Sequence, residues 1–256
     1  MNDEQTQDLE DLSPAPEDNL PAVHDPDVFW DSLAVAVPDE AQLADAKVIS
    51  ATRDHPAHAA FDMLRTRLLQ ALSDNGWTRV AVTAPTRGCG SSFVTLNLAY
   101  AAARLENTRT VVMDLDLRAP SLGAMLNIEA TDDMTDYLSG EIAPEDFLIA
   151  TQRNLAFGLS AGPADNSAEM FQATMTGDVL DELGDLLEPD LVLFDMPPAL
   201  EYDDVLAFLP YVDAVLVVAG GGVTSAEEVT KVEQILSEVK PILGVMLNKA
   251  DGPVSY

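Results

Sequence analysis

Short, continuous apolar runs recur through the second half of the chain, at Leu191–Phe194, Ala214–Val218 and Ile242–Leu247. A strand with one face in water alternates apolar and polar residues. An unbroken run needs cover on both faces, the condition of a parallel strand flanked by helices. Helix-period segments lie around these runs. Phe61, Leu64, Leu68 and Leu72 recur at helical spacing, with Arg65 and Arg67 beside them. Ala226, Val229, Val232 and Leu236 do the same after Ser225, which with Glu228 forms a capping box. Further strands are expected at Arg79–Thr83, Thr110–Asp114 and Leu155–Leu159, short helices near Met134–Leu138 and Pro144–Ile149, and a longer helix ending at about Leu105. Strands alternating with helices give the α/β class, three layers around a mostly parallel central sheet.

The 256 residues, 47% of them apolar, can fill one large core. Residues 1–46 differ from the rest. They hold thirteen Asp/Glu, five prolines and neither Lys nor Arg, which reads as a disordered acidic extension, with the folded domain at 47–256. Inside that extension the apolar patch Val28-Phe29-Trp30 with Leu33 can dock on the domain or on a partner. No apolar stretch reaches the ~18–20 residues of a membrane span, and the acidic N-terminus lacks a secretory signal pattern. Cys89 is the sole cysteine, which excludes an internal disulfide and fits a reducing, cytoplasmic compartment. All three histidines (His24, His55, His58) precede the first motif, so a zinc site is not expected. A net charge of −31 opposes binding to nucleic acid or anionic lipid. Adaptation to salt is one explanation of the acidity and a basic partner is another.

Three segments carry chemistry. The turn Ala84-Pro85-Thr86-Arg87-Gly88-Cys89-Gly90-Ser91-Ser92 follows a strand and opens a helix. Glycines there let backbone N–H groups converge on a phosphate at a helix N-terminus, and Ser92 is placed to offer its hydroxyl to Mg²⁺. Val111-Val112-Met113-Asp114-Leu115-Asp116-Leu117-Arg118 ends a strand in two carboxylates, of which Asp116 is expected in the loop. Leu191-Val192-Leu193-Phe194-Asp195-Met196-Pro197-Pro198 ends another buried strand in a third. Acids at strand C-terminal ends sit where open α/β sheets bind ligands, and with a phosphate they can hold Mg²⁺ directly or through water.

The order of glycine turn, Asp-Leu-Asp-Leu-Arg-x-Pro-Ser-Leu, Asp-x-Pro-Pro and a late Leu-Asn resembles the bacterial tyrosine kinases of capsule and exopolysaccharide assembly, relatives of the ParA/MinD P-loop ATPases. The likeness runs from about Ala59 to Asp251. It implies a P-loop NTPase fold that takes ATP and Mg²⁺. Thr86, Arg87, Gly88, Cys89, Gly90, Ser91, Ser92 and Asn248 would bind the nucleotide. Ser92, Asp116 and Asp195 would hold the metal, and Asp114, Asp116 and Arg87 would serve catalysis. It also implies self-association with phosphorylation of tyrosines on neighbouring subunits. A separately encoded transmembrane polysaccharide co-polymerase would act as activator and recruit the protein to the inner membrane face.

The chain departs from that pattern in three places. Ser91 stands where the Walker A lysine neutralises phosphate charge. The assembly helix Glu-x-x-Arg-x-x-Arg reads Ala59-x-x-Asp62-x-x-Arg65, from which a monomer or small oligomer is expected. The C-terminal tyrosine cluster is reduced to Tyr256. Active kinase or ATPase and nucleotide-sensing pseudokinase therefore both stand, with a ParA/MinD-like positioning ATPase as a third reading. Thr86, at the signature-lysine position of those ATPases, weighs against the third. Arg87 is a substitute cation or a solvated loop arginine. Arg118 approaches phosphate or makes a structural ion pair. Asn248-Lys249-Ala250-Asp251 looks like a guanine-reading motif, although in the ATPase relatives an asparagine here faces adenine. Cys89 is an oxidisable thiol or a passive small side chain.

Overall fold

A computed structural model describes residues 25–53 and 55–250. In chain order the elements are α1 (Pro26–Ser32), β1 (Ala34–Val35), α2 (Glu40–Asp45), α3 (Ile49–Thr52), α4 (His58–Asn75), β2 (Arg79–Thr83), α5 (Ser91–Ala103) and β3 (Thr110–Asp114). There follow α6 (Leu122–Leu126), α7 (Met134–Leu138), α8 (Pro144–Phe147), β4 (Leu148–Gln152), β5 (Leu155–Gly158), α9 (Ser167–Phe171) and α10 (Thr174–Leu187). The chain continues through β6 (Leu191–Asp195), α11 (Asp204–Phe208), a 3₁₀ turn at Leu209–Tyr211, β7 (Ala214–Gly220), α12 (Ala226–Ser237) and β8 (Ile242–Asn248).

The strands form one sheet in the order β1-β4-β5-β3-β6-β2-β7-β8, parallel throughout except for the β4–β5 pair. Successive residues of each central strand enter different cores. Val80, Val82, Leu193, Leu216 and Val218 pack on one face with Phe61, Leu68 and Tyr100. Ala81, Val192, Phe194, Val215 and Val217 pack on the other with Phe171, Leu180 and Phe208. Both faces of these central strands are dry, as their unbroken apolar runs require. The Ile242–Leu247 run departs from that expectation: it forms β8 at the edge of the sheet, where Leu247 is exposed and no residue is fully buried. Helix α5 is buried all round from Val94 to Ala103, so its N-terminus is held rigidly against the sheet.

The expected strands and the three-layer α/β architecture are observed, and the capping box at Ser225 and Glu228 forms as expected. Two expectations need correction. The apolar run taken for a helix to Ile149 stops at Phe147 and becomes β4, an antiparallel partner of β5. The β-branched Ile149 and Thr151 favour extended backbone once a partner strand is present. The acidic stretch also begins the fold earlier than residue 47. Residues 25–46 carry α1, β1 and α2, and only residues 1–24 lie outside the described part. Here tertiary contact overrides composition. Trp30 is buried and donates its indole N–H to the Leu187 carbonyl at 2.9 Å, Leu33 is buried, and β1 joins β4 in register. The patch docks on the domain itself.

Candidate functional site

β2 is flanked by β6 and β7, and its C-terminal end feeds residues 84–90 into α5. This is a position where connections diverge to the two sides of a parallel sheet, leaving a crevice at the strand ends. Gly88 and Gly90 adopt φ of 84° and 91°, in the left-handed region that side-chain-bearing residues avoid. At Gly90 a Cβ would also lie 2.4 Å from Asn248 Nδ2 and would push that side chain aside. No side chain caps the N-terminus of α5. Its first-turn N–H groups are thus free to meet an anion, with the helix dipole behind them.

Asp114 and Asp195 end adjacent strands and are paired in register, while Val82, next to the turn, is paired with Asp195. Both acids are buried. Asp195 accepts from Thr95 Oγ1 at 3.0 Å, and Asp114 accepts from the Ser121 and Leu122 amides at 2.9 and 2.8 Å. One oxygen of each, Asp195 Oδ2 and Asp114 Oδ1, has no hydrogen-bond partner. Burial pushes Asp114 up to about 7, against the pull of its two amide donors. Burial raises Asp195 well above the usual carboxylate range, Asp114 adds to this, and the neighbouring Ser92 and Thr95 hydroxyls oppose it. The Ser92 hydroxyl also accepts from Ser121 Oγ at 3.2 Å, so it lies between the helix start and the loop after β3.

Asp116 lies in the loop beyond β3, as expected, but its carboxylate is committed. Arg87 Nη1 and Nη2 donate to it at 2.8 and 3.2 Å, which raises the guanidinium pKa. Arg87 also has Nε 3.8 Å from Glu201, donates its backbone N–H to that carboxylate at 2.7 Å, and stacks 5.5 Å from the Tyr202 ring centroid. Arg87 is therefore an exposed loop arginine, as one alternative had it, but not an unpaired cation. Arg118 pairs with the buried Asp204 and donates to the Asp165 carbonyl, the structural ion-pair alternative.

The C-terminal end of β8 meets the turn. Asn248 Nδ2 donates to the Cys89 carbonyl at 2.9 Å and Lys249 Nζ to the Gly88 carbonyl at 2.7 Å. Cys89 is fully buried, with its sulfur 3.1 Å from Thr224 Oγ1 and 3.9 Å from Thr86 Oγ1.

The structure thus brings Ser92, Asp114, Asp195, the glycine turn and Asn248 to one crevice, and it pairs Arg87 with Asp116 inside it. Sequence reasoning missed Thr95, Ser121, Glu201 and Tyr202. Thr95 and Ser121 were discoverable, one helical turn from Ser91 and inside the quoted Pro-Ser-Leu motif. Glu201 and Tyr202 carried no signal. Lys249 was seen only as part of a base-reading motif.

The donor set suits Mg²⁺ held jointly with phosphate. Among the described residues no cluster of three or more His, Cys, Asp or Glu holds an ion by itself. The two orphaned carboxylate oxygens and the Ser92 hydroxyl are hard oxygen donors of the kind Mg²⁺ takes directly or through water. Asp116 fits less well, because Arg87 already takes both its oxygens.

Residues 77–251 match the model of the ParA family, described as the NUBPL iron-transfer P-loop NTPase. The chain is 27% identical over 187 residues to the tyrosine-protein kinase YwqD of Bacillus subtilis, covering 72% of this chain and 78% of that one. It is 27% identical over 175 residues to the tyrosine-protein kinase CpsD of Streptococcus pneumoniae, covering 67% and 76%. Other relatives are much longer, and the match spans 22% of the tyrosine-protein kinase ptk of Acinetobacter johnsonii. Among solved structures, the kinase domain of the Escherichia coli tyrosine kinase ETK superimposes with a TM-score of 0.73 at 23% identity, covering 87% of this chain and 93% of that domain. The septum site-determining protein MinD of Pyrococcus horikoshii, solved with Mg-ADP, superimposes with a TM-score of 0.58 at 23% identity, covering 68% and 71%.

Proposed function

We propose a function from one premise: this chain belongs to the ParA family of P-loop NTPases. It binds ATP with Mg²⁺ at the turn 84–92 and works as a tyrosine-kinase-like protein that regulates exopolysaccharide or capsule chain length or export. The single observation behind the nucleotide reading is the pair of buried strand-end acids, each with an unsatisfied oxygen, beside an uncapped helix N-terminus. Two buried carboxylates without a cation repel each other and lose solvation. A site that keeps them is built for a positive ion and its anionic cargo. The tyrosine-kinase part is supported by the relatives' names and by the Asp-Leu-Asp-Leu-Arg and Asp-Met-Pro-Pro segments.

In this reading the α5 amides would hold the phosphates, and Ser92, Asp195 and Asp114 would hold the metal directly or through water. When bound, Mg²⁺ supplies charge neutralisation at the transferring phosphate. A transmembrane co-polymerase, encoded separately, is the proposed activator and membrane recruiter. Among the described residues no helix is long and apolar enough to cross a membrane. Calorimetric titration with ATP, with and without Mg²⁺, tests the site. Mg²⁺-dependent binding is expected, and its absence would remove the nucleotide reading.

A second reading, nucleotide sensing without phosphotransfer, is favoured by Ser91 and by Arg87 holding Asp116. Phosphotyrosine formation on the protein or its co-polymerase, measured with and without that activator, separates the two.

A further inference from the structure

We propose that Lys249, reaching the turn from the end of β8, is the phosphate-binding cation that the turn itself lacks at Ser91. The inference rests on the nucleotide reading above and assigns one charge within it. Three cationic side chains border the crevice, and they differ in what holds them. Arg87 is locked bidentately to Asp116, next to Glu201 and Tyr202. Moving it to a phosphate would strip the cation from a carboxylate that already stands near Asp114 and Asp195. Arg118 is held by the fully buried Asp204. The Lys249 ammonium touches one backbone carbonyl, that of Gly88, and no carboxylate among the described residues pairs with it. An incoming polyanion draws first on the cation whose release exposes no buried charge.

The backbone places Lys249 deliberately. Its φ of 56° is left-handed, a region uncommon for a residue with a side chain. Strain of this kind persists where surroundings over-determine it. Here they do. The Gly221 amide donates to the Asn248 carbonyl at 2.7 Å, and a Cβ on Gly221 would lie 2.4 Å from the Lys249 carbonyl oxygen. A Cβ on Gly220 would lie 3.0 Å from the Cys89 Cα. Gly90, Gly220 and Gly221 thus let the turn, the β7–α12 connection and the end of β8 interlock. The left-handed step at Lys249 directs its side chain back over Gly88. An ammonium has three donors, and only one is used on Gly88. A small shift carries the others to an oxyanion seated on the turn.

The test uses the full chain, with inorganic tripolyphosphate and ATP as probes, each with Mg²⁺, and calorimetry as readout. Lys249→Ala is expected to weaken tripolyphosphate and ATP alike by about tenfold or more, the scale of one charge-assisted contact. Lys249→Arg should restore most of the loss, since it keeps the charge. A melting curve for each variant separates lost charge from a loosened turn. Equal affinity of wild type and Lys249→Ala for tripolyphosphate would overturn the assignment. So would an Arg variant as weak as the Ala variant at unchanged melting temperature. If the wild type binds ATP but not tripolyphosphate, Lys249 is no phosphate cation. If it binds neither, the nucleotide reading itself fails and this inference goes with it.

Discussion

Asp114 and Asp195 stand side by side at the C-terminal ends of β3 and β6, in register across the two strands, each buried with one oxygen that no protein group satisfies. Without a cation this arrangement opposes folding at neutral pH. Asp195→Asn is therefore expected to raise the metal-free stability at neutral pH by about 1–3 kcal/mol, because it removes the cost of either burying the carboxylate charged or protonating it. The same variant should lose the stabilisation that Mg-ATP gives the wild type. A lower metal-free stability in the variant would contradict the electrostatic account.

The pH dependence follows from Asp114, whose folded pKa rises to about 7 from a usual carboxylate value near 4. A raised acid pKa means that the folded state binds the proton more tightly than the unfolded state. Stability contributed by this group therefore grows as pH falls from above 7 toward 4, and is lost again as pH climbs through 7. The chain's many other acids also titrate, so the informative quantity is wild type minus Asp114→Asn, from urea melts without metal. That difference should favour the wild type progressively on going from pH 8 to pH 5. Saturating Mg-ATP should flatten it.

Arg87 neutralises Asp116 inside the crevice. Arg87→Ala should tighten binding of free Mg²⁺, because an opposite charge at about 4 Å is worth roughly 4 kcal/mol before desolvation at an effective dielectric of about 20. An affinity gain of about tenfold is expected. A fall in Mg²⁺ affinity would show that Arg87 organises the metal site rather than competing with it.

Ser91→Lys should tighten Mg-ATP binding on the same electrostatic grounds, by about tenfold. The effect should be larger in a Lys249→Ala background than in the wild type, since the two lysines would then serve one phosphate chain. Calorimetry on the four proteins of this cycle measures the coupling. Strict additivity would place the two charges at independent sites.

Asp62 stands where the resembling kinases carry an arginine for assembly, and it is used within the chain. It lies 2.6 Å from Arg104, 3.6 Å from Arg65 and 3.8 Å from Arg53. With Asp62 turned inward to this network, light scattering at micromolar concentration should find a monomer or small oligomer, not a closed ring. Asp62→Ala should cost about 1 kcal/mol, more than an isolated surface pair, because three arginines share the one acid.

Much of the fold could be read from the residues alone. Unbroken apolar runs such as Leu191–Phe194 specify strands covered on both faces, and a serine three residues before Glu228 specifies a helix start, because both signals are local. The site's acids were legible for the same reason: Asp114 and Asp195 each end such a run. What the sequence could not decide depends on contacts between distant segments. Residues 25–46 look too acidic to fold, yet Trp30 finds the carbonyl of Leu187, 157 residues away. Arg87 looks like a phosphate cation until Asp116 and Glu201 are brought to it by different strand ends. Lys249 looks like part of a base-reading motif until β8, held beside β7, sets its ammonium on Gly88. Local patterning selected the strands and their acids. The packing of strand ends decided which charge faces which, since that depends on three-dimensional neighbours that no single segment encodes.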